Sequence, residues 1–413
     1  MTELFWSPVV MKKKLPITGE FKRALPVVKR IKEAGYEAYF VGGSVRDALL
    51  GLPVNDVDIA TSAFPEEIKH LFKKTVDVGI EHGTVMVLLD DDSYEVTTFR
   101  TESAYQDFRR PDSVTFVRSL KEDLKRRDLT INAFAMDEEG NIQDFFDGAK
   151  DLDDQVVRAV GKAEERFNED ALRMMRAVRF ASQLGFHLEA DTFYAIVVNA
   201  HLLENIAVER IRVEFEKMAK GTYLFQGMEA FVETGLYSYC PGLKHTKHDL
   251  RRFANLPNQL TSNRQVWTYL MYFLEMNSSK EAVAFMKGWK LSNQVIHEST
   301  RLLELIRWRQ HSSFTAIQLY DYSPELALEA ERMIADLGFE ASISHVEEMI
   351  DHLPIRSRQE LAINGKYLMN VTGKKGGKWL GEAIRKAEEG VVMGHIDNET
   401  DSIINWLNLK NEQ

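Results

Sequence analysis

The sequence predicts an α+β fold, with a mixed-sheet unit through about residue 150 and an all-helical chain after it. Two observations carry this expectation. Up to Gly148, short β-branched and aromatic runs alternate with helical stretches. From residue 151 onward the strand signals fade and apolar residues recur at helical spacing. Residues 20–36 read as a helix, with Leu25, Val28, Ile31 and Lys32 near helical spacing and Gly35 as a stop. Residues 37–41 form a short strand that runs into Gly42-Gly43, and a helix follows from Ser44, as N-cap, to Leu50. Residues 57–60 are a second strand, carrying Asp56 and Asp58. Residues 65–72 suit a helix, and residues 83–89 and 94–99 alternate as strands around Asp90-Asp91-Asp92-Ser93. Helices are expected over 164–184, 190–203, 208–219, 264–276, 280–289 and 295–310, with Pro324 and Pro354 as later boundaries.

A chain of 413 residues has room for roughly two to four domains, and 44% hydrophobic with 28% charged residues describes an ordinary globular composition. No early stretch reads as a signal peptide, and nothing approaches a continuous apolar span, so no membrane partner is expected. The single Cys240 excludes an internal disulfide and a cysteine-based zinc cluster, and a cytoplasmic setting fits. A net charge of −11 argues against a generic polyanion binder, yet basic clusters occur at Arg109-Arg110, Lys125-Arg126-Arg127, Arg173/Arg176/Arg179 and Lys374-Lys375.

Four motifs carry chemistry. Gly42-Gly43-Ser44 lies between a strand and a helix, where backbone N–H groups can approach a phosphate, with Arg46 one turn on. Taken alone, such a turn is more often structural, and Arg46 with Asp56 and Asp58 downstream tips it to the functional reading. Asp56-Val57-Asp58 places two carboxylates on one strand face, and their repulsion favours a bound cation such as Mg2+ that also touches substrate phosphates. Two metals need a third acid, for which Glu95 is the candidate; its bland alternative is an exposed place on an edge strand. Arg126-Arg127-Asp128-Leu129-Thr130-Ile131-Asn132-Ala133 offers bidentate arginine for phosphate and Asp128 for a ribose hydroxyl or an arginine, or else a capped helix start. Glu169-Asp170-Ala171-Leu172-Arg173 opens a helix with Arg176 and Arg179 at steps of three. An ordinary Glu169–Arg173 pair is one reading. The other is base selection, because one Asp acceptor beside one Arg donor matches cytosine and adenine and mismatches uracil and guanine.

In this order and spacing, the four motifs resemble those of class II tRNA nucleotidyltransferases, specifically the bacterial CCA-adding enzymes, over at least residues 40–220. The resemblance implies a polymerase-beta-like nucleotidyltransferase head over 1–150 and a helical neck over 151–220 that recognises the base. A helical body over 221–325 and a helical tail over 326–413 that binds tRNA would follow. It implies that Asp56 and Asp58 bind magnesium, that Gly43, Arg46 and Arg127 contact the incoming nucleotide, and that Asp170 and Arg173 read C or A with Arg176 and Arg179 nearby. The implied reaction is attack of a tRNA 3′-hydroxyl on the α-phosphate of CTP or ATP, by a monomer or homodimer. Asp144-Phe145-Phe146-Asp147-Gly148 sits where the family has a hinge, and Glu209-Arg210-Ile211-Arg212 resembles a further neck motif. Leu129 stands where the family more often has an aromatic, and is expected to pack. The segment from Ile363 to Gly377 resembles the tail of Bacillus-type members.

Relatives add CCA, only CC, only A, or poly(A). Residues 101–117, with Arg109-Arg110-Pro111-Asp112, resemble the loop that CC-adding relatives lack, which favours full CCA addition. A metal phosphohydrolase, suggested by His248-Asp249 with His245 nearby, and an inactive RNA-binding protein are the alternatives from other classes.

Overall fold

The structure, a computed structural model, describes residues 14–79, 83–89, 92–102 and 114–409. The chain divides into two compact units. One runs through Asn255 and adds Gln259–Thr261 and Gly288–Lys290; the other holds Leu256–Asn258, Ser262–Lys287 and the chain from Leu291.

The first unit opens with α1 (Gly19–Glu33), whose buried stripe of Phe21, Ala24, Val27, Val28 and Ile31 covers the sheet while Pro26 stays exposed. Strand β1 (Ala38–Val41) leads through Gly42 into α2 (Gly43–Leu49), followed by β2 (Asp58–Thr61) and α3 (Pro65–Leu71). β3 (Thr75–Gly79), β4 (Thr84–Leu89) and β5 (Asp92–Thr98) come next, then the hairpin strands β6 (Arg100–Glu102) and β7 (Val114–Phe116). After α4 (Leu120–Lys125), strands β8 (Phe134–Met136) and β9 (Ile142–Asp144) complete a mixed sheet of order β3-β4-β5-β2-β1-β8-β9 among the described residues. β2 and β5 are parallel and the other neighbours antiparallel. Val41, Ala60, Phe99, Leu124, Ala135 and Val160 pack on one another beneath it.

Helices then dominate: α5 (Gly148–Asp153), α6 (Ala163–Glu169), α7 (Leu172–Leu184), α8 (Ala190–Asn199), α9 (Val208–Ala219), α10 (Leu224–Glu233) and α11 (Lys247–Ala254). A short parallel bridge joins β10 (Val156–Val157) to β11 (His187–Leu188). α7 packs against α9 and α10, and the α10 contact is close. A Cβ at Gly227 would lie 2.2 Å from the Ser182 Cβ.

The second unit is helical: α12 (Asn263–Phe273), α13 (Ser279–Gly288), α14 (Asn293–Arg309), α15 (Ala316–Tyr322), α16 (Pro324–Asp336), α17 (Ile343–Asp351), α18 (Gly365–Thr372), α19 (Lys378–Val392) and α20 (Thr400–Trp406). Its buried acids are paired. Arg309 donates to both oxygens of Glu331 at 2.7 and 2.9 Å, and Arg358 does the same to Glu388 at 2.6 and 3.1 Å. No helix among the described residues is long and apolar enough to cross a membrane.

Three expectations change. The helix expected over 164–184 is two helices, because Asp170 adopts an extended conformation (φ −137°, ψ 103°) between them. β2 begins at Asp58, so Asp56 precedes the strand instead of lying in it. Gly42, not Ser44, occupies the N-cap of α2; its φ of 74° makes the sharp turn, and the Ser44 hydroxyl donates to the Val41 carbonyl at 3.1 Å.

Candidate active site

The glycine turn is pressed against two guanidiniums. A Cβ at Gly42 would lie 2.9 Å from Arg127 Nη1, and one at Gly43 would lie 3.4 Å from Arg46 Nη2. Arg46 is buried and fixed from both sides: Nε and Nη2 donate to Asp47 Oδ1 at 2.9 and 2.7 Å, and Nη1 donates to Asn132 Oδ1 at 2.5 Å. Asn132 in turn donates to Asp128 Oδ1 at 3.1 Å, and Arg176 Nε donates to Asp128 Oδ2 at 2.5 Å. A continuous chain of side chains, Asp47–Arg46–Asn132–Asp128–Arg176, thus runs from α2 to α7. Burial by itself pushes the Asp128 carboxyl up, but Arg176, Asn132 and Arg173 outweigh it and hold the group well below the usual carboxylate range. Arg127 leans on Asp123 at 3.6 Å and donates to the Asn132 carbonyl at 3.4 Å. Its Nε is buried with no hydrogen-bond partner among the described residues.

Asp58 heads β2, and the pairing of Ile59 with Val96 sets it beside Glu95 on the same face of the sheet. β5 is an interior strand, so Glu95 is exposed through its face of the sheet and not through an edge. Asp56, Asp58 and Glu95 line one cleft of about 490 Å³, together with Arg23, Asn55 and Tyr94. Although its side chain still reaches solvent, the surrounding atoms push the Asp58 carboxyl up. Arg127 opposes that shift and Asp56 adds to it. Two crowded hard oxygen donors, one carrying an unfavourable charge, fit a divalent cation such as magnesium, which needs only one or two carboxylates when phosphates complete its shell. Among the described residues no group of three or more His, Cys, Asp or Glu is drawn together as a metal cluster, so Glu95 shares the cleft without closing on the pair.

At the break between α6 and α7, Asp170 Oδ1 accepts from the Leu172 N–H at 3.0 Å and Oδ2 accepts from Arg210 Nη2 at 2.9 Å. Arg173, buried, donates to Glu169 Oε2 at 2.5 Å and to the carbonyls of Arg166 and Arg126 at 3.2 and 2.9 Å. Of the two readings of this motif, the Glu169–Arg173 pair is realised as a contact. It is interior on the arginine side, and Asp170 lies before the helix, not on it. Arg179 forms an ion pair with Glu214 at 2.7 Å, with both side chains buried.

Other expected positions behave variously. Leu129 is fully buried and bridges to Ala159, so it packs. At Asp144–Gly148 the turn is tight: Asp144 accepts from the N–H groups of Phe146, Gly148 and Ala149, and a Cβ on Gly148 would lie 2.4 Å from the Thr130 carbonyl oxygen. Arg109-Arg110-Pro111-Asp112 lies outside the described residues. His248 and Asp249 begin α11 without joining a metal cluster. Sequence reasoning passed over Asp123, Phe180 and Glu214. Asp123 had a local signal, three and four residues before Arg126 and Arg127 at helical spacing. Glu214 had none, being 35 residues from Arg179.

Residues 38–158 match the family model of the poly A polymerase head domain, 185–247 the model named for the RNA- and SrmB-binding site of polymerase A, and 258–407 that of tRNA nucleotidyltransferase domain 2. The chain is 52% identical over 391 residues to the CCA-adding enzyme of Enterococcus faecalis, covering 94% of this chain and 96% of the relative. This chain belongs to the CCA-adding enzyme family. It is also 50% identical to the CCA-adding enzyme of Ligilactobacillus salivarius over 94% of this chain and 96% of that one. Among solved CCA-adding enzymes, that of Bacillus stearothermophilus in complex with CTP superposes with a TM-score of 0.86 at 43% identity, covering 95% of this chain and 97% of that one. The mixed-sheet head and helical remainder are those of this CCA-adding enzyme fold.

Proposed function

We propose that this chain adds C, C and A to the 3′ end of tRNA from CTP and ATP, using one nucleotide site in its first unit. The observation that carries the reading is the unbroken chain Asp47–Arg46–Asn132–Asp128–Arg176. It ties the glycine turn to the helix that follows Asp170.

Arg46 and Arg127, braced against Gly42-Gly43, grip the triphosphate, and Arg127 Nε, buried without a hydrogen-bond partner among the described residues, is a donor left over for an incoming oxygen. Asp56 and Asp58 are the residues that would hold magnesium, which supplies charge neutralisation of the triphosphate and eases ionisation of the attacking hydroxyl. Glu95 faces the same cleft and orients the primer terminus there. The tRNA 3′-hydroxyl displaces pyrophosphate at the α-phosphorus. Asp170 accepts from the exocyclic amino group of C or A while Arg173 donates to the adjacent ring nitrogen. Glu169 and two backbone carbonyls fix the guanidinium plane, which makes a mismatched U or G costly. Arg176 and Arg179 line the same helix. The second unit contributes the tRNA grip of the tail, and the setting of a tRNA substrate is the cytoplasm.

The test uses tRNA ending at the discriminator base, incubated with CTP alone, ATP alone or both. Two added C residues with CTP alone and a complete CCA with both are expected. Arrest at CC despite ATP, or long A tails, would overturn the reading.

A further inference from the structure

Phe180 carries an arrangement that none of these steps uses. Its ring, on α7, is 5% exposed, and three guanidiniums converge on it. The Cζ atoms of Arg179, Arg46 and Arg176 lie 4.1, 4.8 and 5.7 Å from the ring centroid. All fall within the roughly 6 Å over which a cation is drawn to an aromatic face. Each arginine has its own polar tether: Asp47 and Asn132 for Arg46, Asp128 for Arg176, Glu214 for Arg179. Among the described residues, no hydrogen bond or ion pair joins Arg46 directly to Arg179. The ring lies within cation–π reach of all three.

Three like charges gathered on one side chain repel one another. Burial pushes the Arg179 guanidinium down to about 10, and Arg176 and Arg46 push the same way against Glu214 and Asp128. A further carboxylate would hold the cluster together but would also repel a triphosphate. An aliphatic side chain would fill the volume and offer no attraction. An aromatic ring attracts cations through its quadrupole while staying neutral.

We infer that Phe180 is a positioning residue for the nucleotide. Its face binds Arg46 of the glycine-turn helix to Arg176 and Arg179 of the base-reading helix, so that the phosphate and base ends of the nucleotide meet one rigid cationic unit. The inference rests on the reading of these arginines as nucleotide contacts. Because the ring acts on their placement and not on the base edge, its loss weakens CTP and ATP alike and leaves the choice between C and U, or A and G, unchanged.

The decisive experiment incorporates phenylalanines of increasing fluorination at position 180 in the full-length chain. These keep the ring's shape and drain its negative face. F180Y, F180L and R46A are made alongside, and CTP and ATP binding, KM, kcat and thermal melting are measured for each. Stepwise weakening of both nucleotides is expected, on the order of tenfold across the series, with melting nearly constant. F180Y should stay near the parent and F180L should match the most fluorinated ring. Flat affinities across the fluorinated series, with R46A clearly impaired, would overturn the role of Phe180 alone. If R46A also binds CTP normally, the nucleotide reading of the cluster falls, and this inference with it. Should F180L fail to fold, the fluorinated series still decides.

Discussion

Asp58 sits where its charge is disfavoured by its surroundings and by Asp56, and Arg127 only partly relieves it. A carboxyl raised in this way stays protonated to a higher pH than an ordinary aspartate near ~3.9. Lowering the pH should therefore weaken magnesium activation earlier than an ordinary aspartate would, read as a half-saturating magnesium concentration that rises as the pH falls. The sign also reaches stability. Ionised Asp58 destabilises the metal-free protein at neutral pH, so D58N should melt slightly higher, by less than about 1 kcal/mol since the side chain meets solvent, while losing turnover. That gain should vanish in acid, where Asp58 is already protonated. D56A should abolish transfer and leave tRNA binding intact; substantial residual turnover with magnesium would refute the metal assignment. Asp128 behaves oppositely. With its folded pKa depressed, it contributes stability that is present above the unfolded value near ~3.9 and lost as pH falls through the lower folded value. D128N should cost on the order of 2 kcal/mol at neutral pH, reduced from the fully buried case because Arg176 is about one-third exposed. Chemical denaturation of D128N across pH would show the flattened acid limb.

At the scale of elements, the break at Asp170 does most to shape the site. A continuous helix would have kept Asp170 on the same cylinder as Arg173; the extended residue instead lets it accept from the first N–H of α7, that of Leu172, and meet Arg210 from α9. R173A should relax discrimination against UTP and GTP by about tenfold or more. E169Q, which removes one charge that holds the guanidinium, should do so to a smaller degree. Misincorporation assays with each nucleotide alone measure both. G148A should destabilise by about 2 kcal/mol or more, because its Cβ cannot coexist with the Thr130 carbonyl in the present backbone. Much of this element map was legible in the sequence. β4 and β5 announced themselves by alternation, and α1, α9 and α14 by their spacing. The interruption at Asp170 was hidden because Glu-Asp-Ala-Leu-Arg favours helix locally, and only tertiary partners such as Arg210 select the break. β8 and β9 were missed for a related reason: three-residue strands exist through pairing with β1 and with each other, and carry no pattern of their own. The arginines of the site were legible as residue types. So was Asp128 as a partner for an arginine, whereas the counter-charge of Arg179 was not, since Glu214 reaches it from 35 residues away.

For the molecule as a whole, a net charge of −11 must be reconciled with an RNA partner. The second unit offers a local answer. Lys374, Lys375 and Lys378 stand close to Trp379 in the chain; Lys374 Nζ lies 5.9 Å from the centroid of its ring, and Trp379 Nε1 donates to the Lys375 carbonyl at 2.9 Å. Binding of tRNA should weaken steeply between 50 and 200 mM salt, as about the number of phosphate contacts dictates. Replacing Lys374 and Lys375 by alanine should lower the log–log slope by roughly 1.5, at about 0.7–0.9 per lost contact, without altering CTP affinity. An unchanged slope would remove these lysines from the RNA surface. The chain Asp47–Arg46–Asn132–Asp128–Arg176 has a consequence for how such a chain can evolve. On the proposed function, one run of hydrogen bonds serves both ends of the nucleotide, so a mutant lineage selected for a new letter at the tRNA end cannot retune α7 in isolation. Each step there disturbs the hold on the phosphates, so the accessible routes should pass through paired changes, with Asp128 or Asn132 as the second partner.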